Sequence, residues 1–281
     1  MSFTSDPAGS KSPRRLVADG LLAVNRLIGS PPPAVAISNA SALMFAPHPD
    51  DEVLGCGGLI ALKARAGARV QVVVMTDGRA SHGSLIDPDE LARIRRAEAE
   101  EAGRRLGLAE PYVFLDFRDH RLAESRDAAC ERVMELINLF KPAEIYVPSR
   151  RDGIADHDET NRVVRRAVAQ LGRAVVLLEY PLWLWNGWPW TGDSARRRSG
   201  RVRGALQVAR DVAEIVFACR TRVDVGAVLD RKRAALAVYR SQLERLNGDP
   251  RWPVLSDVAG GEFLRCFESG VEIFRRTNYR P

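Results

Sequence analysis

The sequence predicts an α/β protein, a Rossmann-like parallel sheet covered by helices on both faces, with an N-terminal helical appendage and a C-terminal extension. Two observations carry this. From residue 42 onward, short β-rich apolar runs alternate with longer segments of helical period, and turn residues separate them. Alternation of this kind means βαβ units. The 281 residues are 46% hydrophobic and 28% charged, the composition of an ordinary globular protein able to bury such a sheet.

Taken in order, residues 1 to 13 are rich in Ser, Pro, Gly and Lys and read as a disordered tail. An amphipathic helix follows over 14–29, with Leu16, Val17, Leu21, Leu22, Val24, Leu27 and Ile28 in helical spacing, closed by Gly29 and Pro31-Pro32-Pro33. This divides the chain into an appendage over 1–40 and one α/β domain over 41–281. Packing on that domain is the plainest role for the helix; dimerisation and contact with a membrane surface are the others. Strands are predicted at 42–46, 69–75, 112–116, 144–148 and 174–179, and helices at 52–66, 88–107, 126–140 and 157–171.

Ligands of such sheets bind at the carboxyl ends of the strands. The chain has only four histidines, and each follows a strand: His48 the first, His82 the second, His120 the third and His157 the fourth. All four belong to one edge. A Trp/Arg-rich insertion at about 181–205 holds Trp183, Trp185, Trp188 and Trp190, then Arg196, Arg197, Arg198, Arg201 and Arg203. Indole faces stack on sugar rings and suit membrane interfaces, and the arginines suit phosphate. A packed lid and a solvated loop are the ordinary alternatives.

Composition narrows the classes further. The formal charge is +6 and the pI near 9.4, yet there is no zinc-finger spacing, RNP-like strand or helix-turn-helix, so no nucleic-acid partner is expected. No apolar run approaches a membrane span, and no signal-peptide core is present. Cys56, Cys130, Cys219 and Cys266 are scattered without a CxxC pair, which reads as free thiols in a cytoplasmic protein.

The chemistry is concentrated in His48-Pro49-Asp50-Asp51-Glu52, directly after the first strand. Pro49 suits the first position of a helix. In the turn that follows, His48 and Asp51 can converge on one ion, while Asp50 points elsewhere and stays free for proton transfer. The ordinary alternative is an acidic helix cap. Gly55, Gly57 and Gly58 allow close packing or the approach of a substrate. After the fourth strand, His157 opens a helix that Asp156 or Asp158 can cap, and it is the natural third ligand. Two histidines and a carboxylate form a common catalytic zinc set with one position open, and iron(II) accepts the same donors. In the helix over 88–107, Arg95 and Glu98 share a face and read most simply as an exposed ion pair.

These motifs together resemble the PIG-L/LmbE-like de-N-acetylases. The shared segments are Ala46-Pro47-His48-Pro49-Asp50-Asp51-Glu52, Thr76-Asp77-Gly78, Arg95 with Glu98 and Ala102, Phe114-Leu115 leading to Asp119, Asp156-His157, and Lys232 with Tyr239, Ser241 and Gln242. They extend over roughly residues 40 to 270 and are improbable together by chance. The resemblance implies zinc held by His48, Asp51 and His157, Asp50 as general base, and hydrolysis of the acetamide of an N-acetylglucosamine-type unit. That unit stands in a nucleotide- or lipid-linked sugar, a glycoconjugate or a natural product. Arg95, Asp119, His82, His120 and Trp185 are the substrate-contact candidates. Several members carry a second histidine three residues before the last ligand, where this chain has Ile154; Asp50 is then expected to shuttle the proton to the amine. Peripheral membrane contact and a homo-oligomer stay open. A different amidase, a non-catalytic glycan-binding relative and a nucleotide-binding protein are the competing readings, the last disfavoured by the missing GxGxxG.

Overall fold

Strand β1 (Ala42–Ala46) is apolar at all five positions and buried throughout, as a central strand with helices on both faces must be. Strands β2 (Val70–Thr76) and β4 (Glu144–Pro148) flank it, both parallel to it. Beyond them lie β3 (Val113–Phe117) next to β2 and β5 (Val175–Tyr180) next to β4, again parallel. The computed structural model describes residues 12–29, 39–192, 201–246 and 248–280, with only the backbone of 201–203. Most of the predicted tail, the Pro31–Pro33 stop and Arg196–Arg198 lie outside the described residues, as do the Arg201 and Arg203 side chains.

The period-two rule sorts the core. Leu43 and Phe45 of β1 face Val133, Ile137 and Val164, which belong to α4 (Arg126–Phe140) and α5 (Ala155–Ala169). Met44 faces the other way, towards Leu59, Ile60, Ala99 and Ala102 of α2 (Asp51–Arg65) and α3 (Pro88–Leu106). Every predicted helix and strand of this unit is present within two residues of its expected ends. Capping explains such boundaries: the Asp87 side chain accepts from the amides of Asp89 and Glu90, Pro88 begins α3, and Gly107 ends it at φ 88°.

The sheet is not wholly parallel. Among the described residues it has seven strands in the order β3-β2-β1-β4-β5-β7-β6, because β7 (Val271–Tyr279) lies antiparallel to β5, and β6 (Thr221–Asp224) antiparallel to β7. The C-terminal extension is therefore part of the sheet. It also grips α2: Glu272 accepts from the amides of Gly58 at 2.8 Å and Leu59 at 2.9 Å. Lys232, in α7 (Leu229–Leu236), neutralises that buried carboxylate at 2.8 Å and donates to Leu54 O at 2.9 Å. The short α6 (Arg201–Ala213) precedes this region.

Helix α1 (Pro13–Ile28) packs on the domain, the plainest of its three roles. Ala18, Leu21 and Leu22 rest on the core, and the fully buried Asn25 donates through Nδ2 to the carbonyls of Ile215, Val216 and Cys219 at 2.9–3.1 Å. Arg14 donates to Pro189 O and Trp190 O at 3.0 Å and pairs with Glu262.

The glycines of α2 serve packing. A Cβ on Gly55 would lie 2.4 Å from the Tyr180 ring, and one on Gly58 would lie 2.5 Å from Val225. The Tyr180 hydroxyl donates to Phe45 O at 2.7 Å, so its ring cannot withdraw cheaply. Gly55→Ala is expected to destabilise the fold by about 1–3 kcal/mol through overpacking, read as a lower urea midpoint.

Candidate metal centre

Strands β1 and β4 are neighbours, but their onward helices leave for opposite faces, which opens a crevice at their carboxyl ends. Into it come His48, Asp50 and Asp51 from one side and His157 from the other. Pro49 does not begin the helix as expected. Helix α2 starts at Asp51, and Asp50 occupies the cap position at φ 118°, ψ −30°, without a side-chain cap bond. Such a backbone costs an L-residue on the order of 1–3 kcal/mol. Glu52 helps to hold it, accepting the Asp50 amide at 3.1 Å while also accepting the hydroxyls of Tyr112 at 3.1 Å and Tyr239. The result frees the Asp50 carboxylate to face the Arg95 guanidinium at 3.3 Å.

His48 Nδ1 lies 3.2 Å from Asp51 Oδ2, and His157 Nε2 lies 3.3 Å from the same oxygen. Bonds of about 2.0–2.1 Å at tetrahedral angles place donors about 3.3 Å apart, so both separations from Asp51 fit edges of one coordination shell. Each imidazole is steered from behind, as ligating histidines usually are. His157 Nδ1 bonds to the fully buried Asp152 at 2.7 Å. His48 Nε2 is 3.1 Å from Asp119 and 3.5 Å from Asp156. His48, Asp119 and Asp156 form a second cluster of ligand spacing. It offers one imidazole, and Asp156 already accepts the amides of His120 at 2.7 Å and Leu122 at 3.2 Å.

The electrostatics suit a cation. Burial alone would raise the Asp51 carboxyl, yet the two histidines hold it far below the ordinary range. Burial disfavours a charged His157, but Asp51 and Asp152 outweigh this and push it up to about 9; His48 is likewise raised, by Asp119, Asp156 and Asp51. Asp50 behaves oppositely: burial lifts it to about 8 against the pull of Arg95. The donor set thus attracts positive charge from two sides.

The expected contact residues divide. His120, Asp119 and Arg95 line the cavity of about 220 Å³ with Ile154, Leu182 and Trp183. Arg95 is buried, donating to Gly78 O and Pro49 O, so the expected exposed pair with Glu98 does not form. Glu98 instead accepts from Ser241 N at 2.8 Å and Ser241 Oγ at 2.6 Å. His82 is buried beside the cavity, its ring tilted against Trp252, with its nitrogens at Ser81 Oγ and Pro253 O. Trp185 packs edge-on against Trp190 in a different cavity beside α1. Asp156 and Asp158 do not cap α5: one serves the loop after β3 and the other accepts Gly153 N. Asp152 and Trp183 were not singled out from sequence. A carboxylate just ahead of the His157 helix was the available signal for the first; nothing distinguishes Trp183 from its neighbours.

Fold and site together define a doubly wound α/β protein with a two-histidine, one-carboxylate cluster at its switch point. Residues 43–168 match the family model described as PIG-L, GlcNAc-PI de-N-acetylase. A 1D-myo-inositol 2-acetamido-2-deoxy-alpha-D-glucopyranoside deacetylase of Saccharomonospora viridis is 30% identical over 226 residues, 70% of this chain and 82% of the relative. The chain belongs to the PIG-L family. Among solved structures, N,N'-diacetylchitobiose deacetylase from Pyrococcus horikoshii shares the fold with TM-score 0.63 and 22% identity, over 96% of this chain and 94% of that one. So does a 4-carboxy-2-hydroxymuconate hydratase from Pseudomonas putida KT2440, with TM-score 0.54 and 18% identity over 86% and 98%. One architecture carries two reactions there, so function must be argued from the site.

Replacing Glu52 by Ala strands the Asp50 amide and two buried hydroxyls. At about 1–3 kcal/mol for each unsatisfied group, Glu52→Ala is expected to cost at least about 3 kcal/mol, whereas Tyr239→Phe costs about 1 kcal/mol. Chemical denaturation of the two variants checks the ranking.

Proposed function

We propose that this chain is a metal-dependent N-deacetylase that releases acetate from an N-acetylglucosamine-type amino sugar. The observation that carries the reading is an unligated carboxylate, Asp50, adjoining a His–Asp–His cluster of tetrahedral spacing. His48, Asp51 and His157 are the residues we assign to the metal, zinc by donor type, with iron(II) accepting the same set. Such an ion polarises an amide carbonyl and lowers the pKa of water towards neutrality.

The chain's own groups supply the rest. Asp50 takes a proton from the attacking water and delivers it to the departing nitrogen, so that water is added across the C–N bond and acetate and a free amine leave. Arg95 holds that carboxylate in place. Ile154 makes this wall of the cavity apolar, and His82 is spent on Ser81 and Pro253, which leaves His120 as the cavity-lining imidazole outside the ligand set. We assign His120 to substrate hydroxyls and Asp50 to proton transfer. A cavity of about 220 Å³ has room for one sugar ring and its acetamide, with Trp183 as a stacking face and the rest of the substrate outside. The S. viridis relative, whose printed substrate is an inositol-linked acetamidoglucose, supports the substrate class. No helix among the described residues is long and apolar enough to cross a membrane. Four free thiols support a reducing, cytoplasmic setting, and residues 41–281 are read as one catalytic domain with α1 clipped to it.

Acetate release from N-acetylglucosamine conjugates, abolished by a chelator and restored by zinc, tests the proposal. Asp50→Asn is expected to lower the rate by about 10²–10⁴-fold while zinc content by elemental analysis stays unchanged. Loss of metal in that variant would move Asp50 into the ligand set. A second expectation follows from the raised histidines. The surrounding carboxylates favour the charged imidazoles in the metal-free protein, and a metal needs them neutral, so zinc uptake should release protons. Calorimetry in buffers of different ionisation enthalpy counts them. The sign is fixed: the metal-free protein gains stability from charged His157 below its ordinary pKa of about 6.5 and loses it as pH rises through about 9.

A further inference from the structure

Helix α1 has a face that the fold does not use. Asn25 and Leu22 turn inward, while Leu16 is 58% exposed, Val17 41%, Val24 38% and Leu27 86%. With 3.6 residues per turn these four fall within an arc of about 100°, and the remaining residues of that arc, Pro13 and Gly20, are uncharged and exposed. The stripe is apolar from end to end, and among the described residues nothing covers it.

Its surroundings are cationic. Arg14 is paired with Glu262, but Arg15 and Arg26 flank the stripe with a single acid on the helix, Asp19, and Arg220 reaches the C-terminal carbonyl of the helix at Ile28. Two more exposed apolar groups lie in segments that α1 contacts through its inner face. The turn that receives Asn25 carries Phe217, 58% exposed, and the segment that Arg14 grips carries Trp188, 38% exposed. An apolar stripe flanked by arginine is the composition of a helix lying in a lipid interface.

We propose that this stripe docks the protein on an anionic bilayer surface, α1 lying in the plane of the interface. A second copy of the chain fits less well. One helix face about 20 Å long presents on the order of 200 Å², about a quarter of what each partner buries in a stable interface. A bilayer sets no such minimum, and the basic rim is drawn to anionic headgroups. Docking is independent of the deacetylase reading.

The test is co-sedimentation of the full chain with mixed phosphatidylcholine–phosphatidylglycerol vesicles. Binding is expected to fall at least about tenfold with pure phosphatidylcholine, and likewise when salt is raised. The double substitution Leu16→Glu, Leu27→Glu is expected to abolish it, with the melting temperature and the hydrolysis of a soluble substrate unchanged. Wild-type protein that stays in the supernatant overturns the proposal, as does a double variant that still sediments. A dimer in analytical ultracentrifugation that the double variant dissociates, without vesicle binding, assigns the stripe to a second copy instead.

Discussion

Everything at the site depends on the parallel pairing of β1 with β4. These strands are distant in sequence, joined through β2, α2, β3, α3 and α4, yet they lie side by side with Ala42 opposite Glu144 and Met44 opposite Tyr146. Their side-by-side pairing brings a loop ending in Asp51 and a helix opening near His157 to one crevice. A slip of one residue would turn Met44 towards the wrong helices and carry His48 out of line with it. The full burial of β1 on both faces makes that slip costly, so hydrophobic register fixes ligand spacing.

Within the crevice, charge is arranged in layers. Asp51 stands between the imidazoles, and Asp152, Asp119 and Asp156 stand behind them. Buried carboxylates in such number are tolerable only around positive charge, which protons supply in the metal-free protein and a divalent ion would supply in their place. Asp50 is kept apart from this set by its unusual backbone, with Glu52 and two tyrosines from remote segments holding the turn. The strain is local and its restraint is long-range, an arrangement often found where a reactive group must point against its backbone preference.

The strands and helices of residues 42–180 were legible because their signals are local: period-two and period-3.6 patterns broken by turn residues. The proposed ligands are legible because histidine is scarce in this chain and each one follows a strand. What escaped is non-local. Nothing in Val271–Tyr279 announces antiparallel pairing with β5, or that Glu272 will accept amides in the middle of α2. Arg95 and Glu98 share a helix face as expected, but their partners come from segments 17 to 143 residues away. The choice between Trp183 and Trp185 turned on the phase of a single 3₁₀ turn, which places one indole in the cavity and the other beside α1.

Asp152 gives one oxygen to His157 and the other to the amides of Leu182 and Leu184, on either side of Trp183. The cavity wall around Trp183 and the orientation of His157 are therefore set by a single buried carboxylate. New substrate ranges could evolve by insertion beyond Leu184, where sequence length is free to drift. Any indel upstream of it must be matched by compensating change around His157, so diversification of specificity is channelled to one side of a single residue.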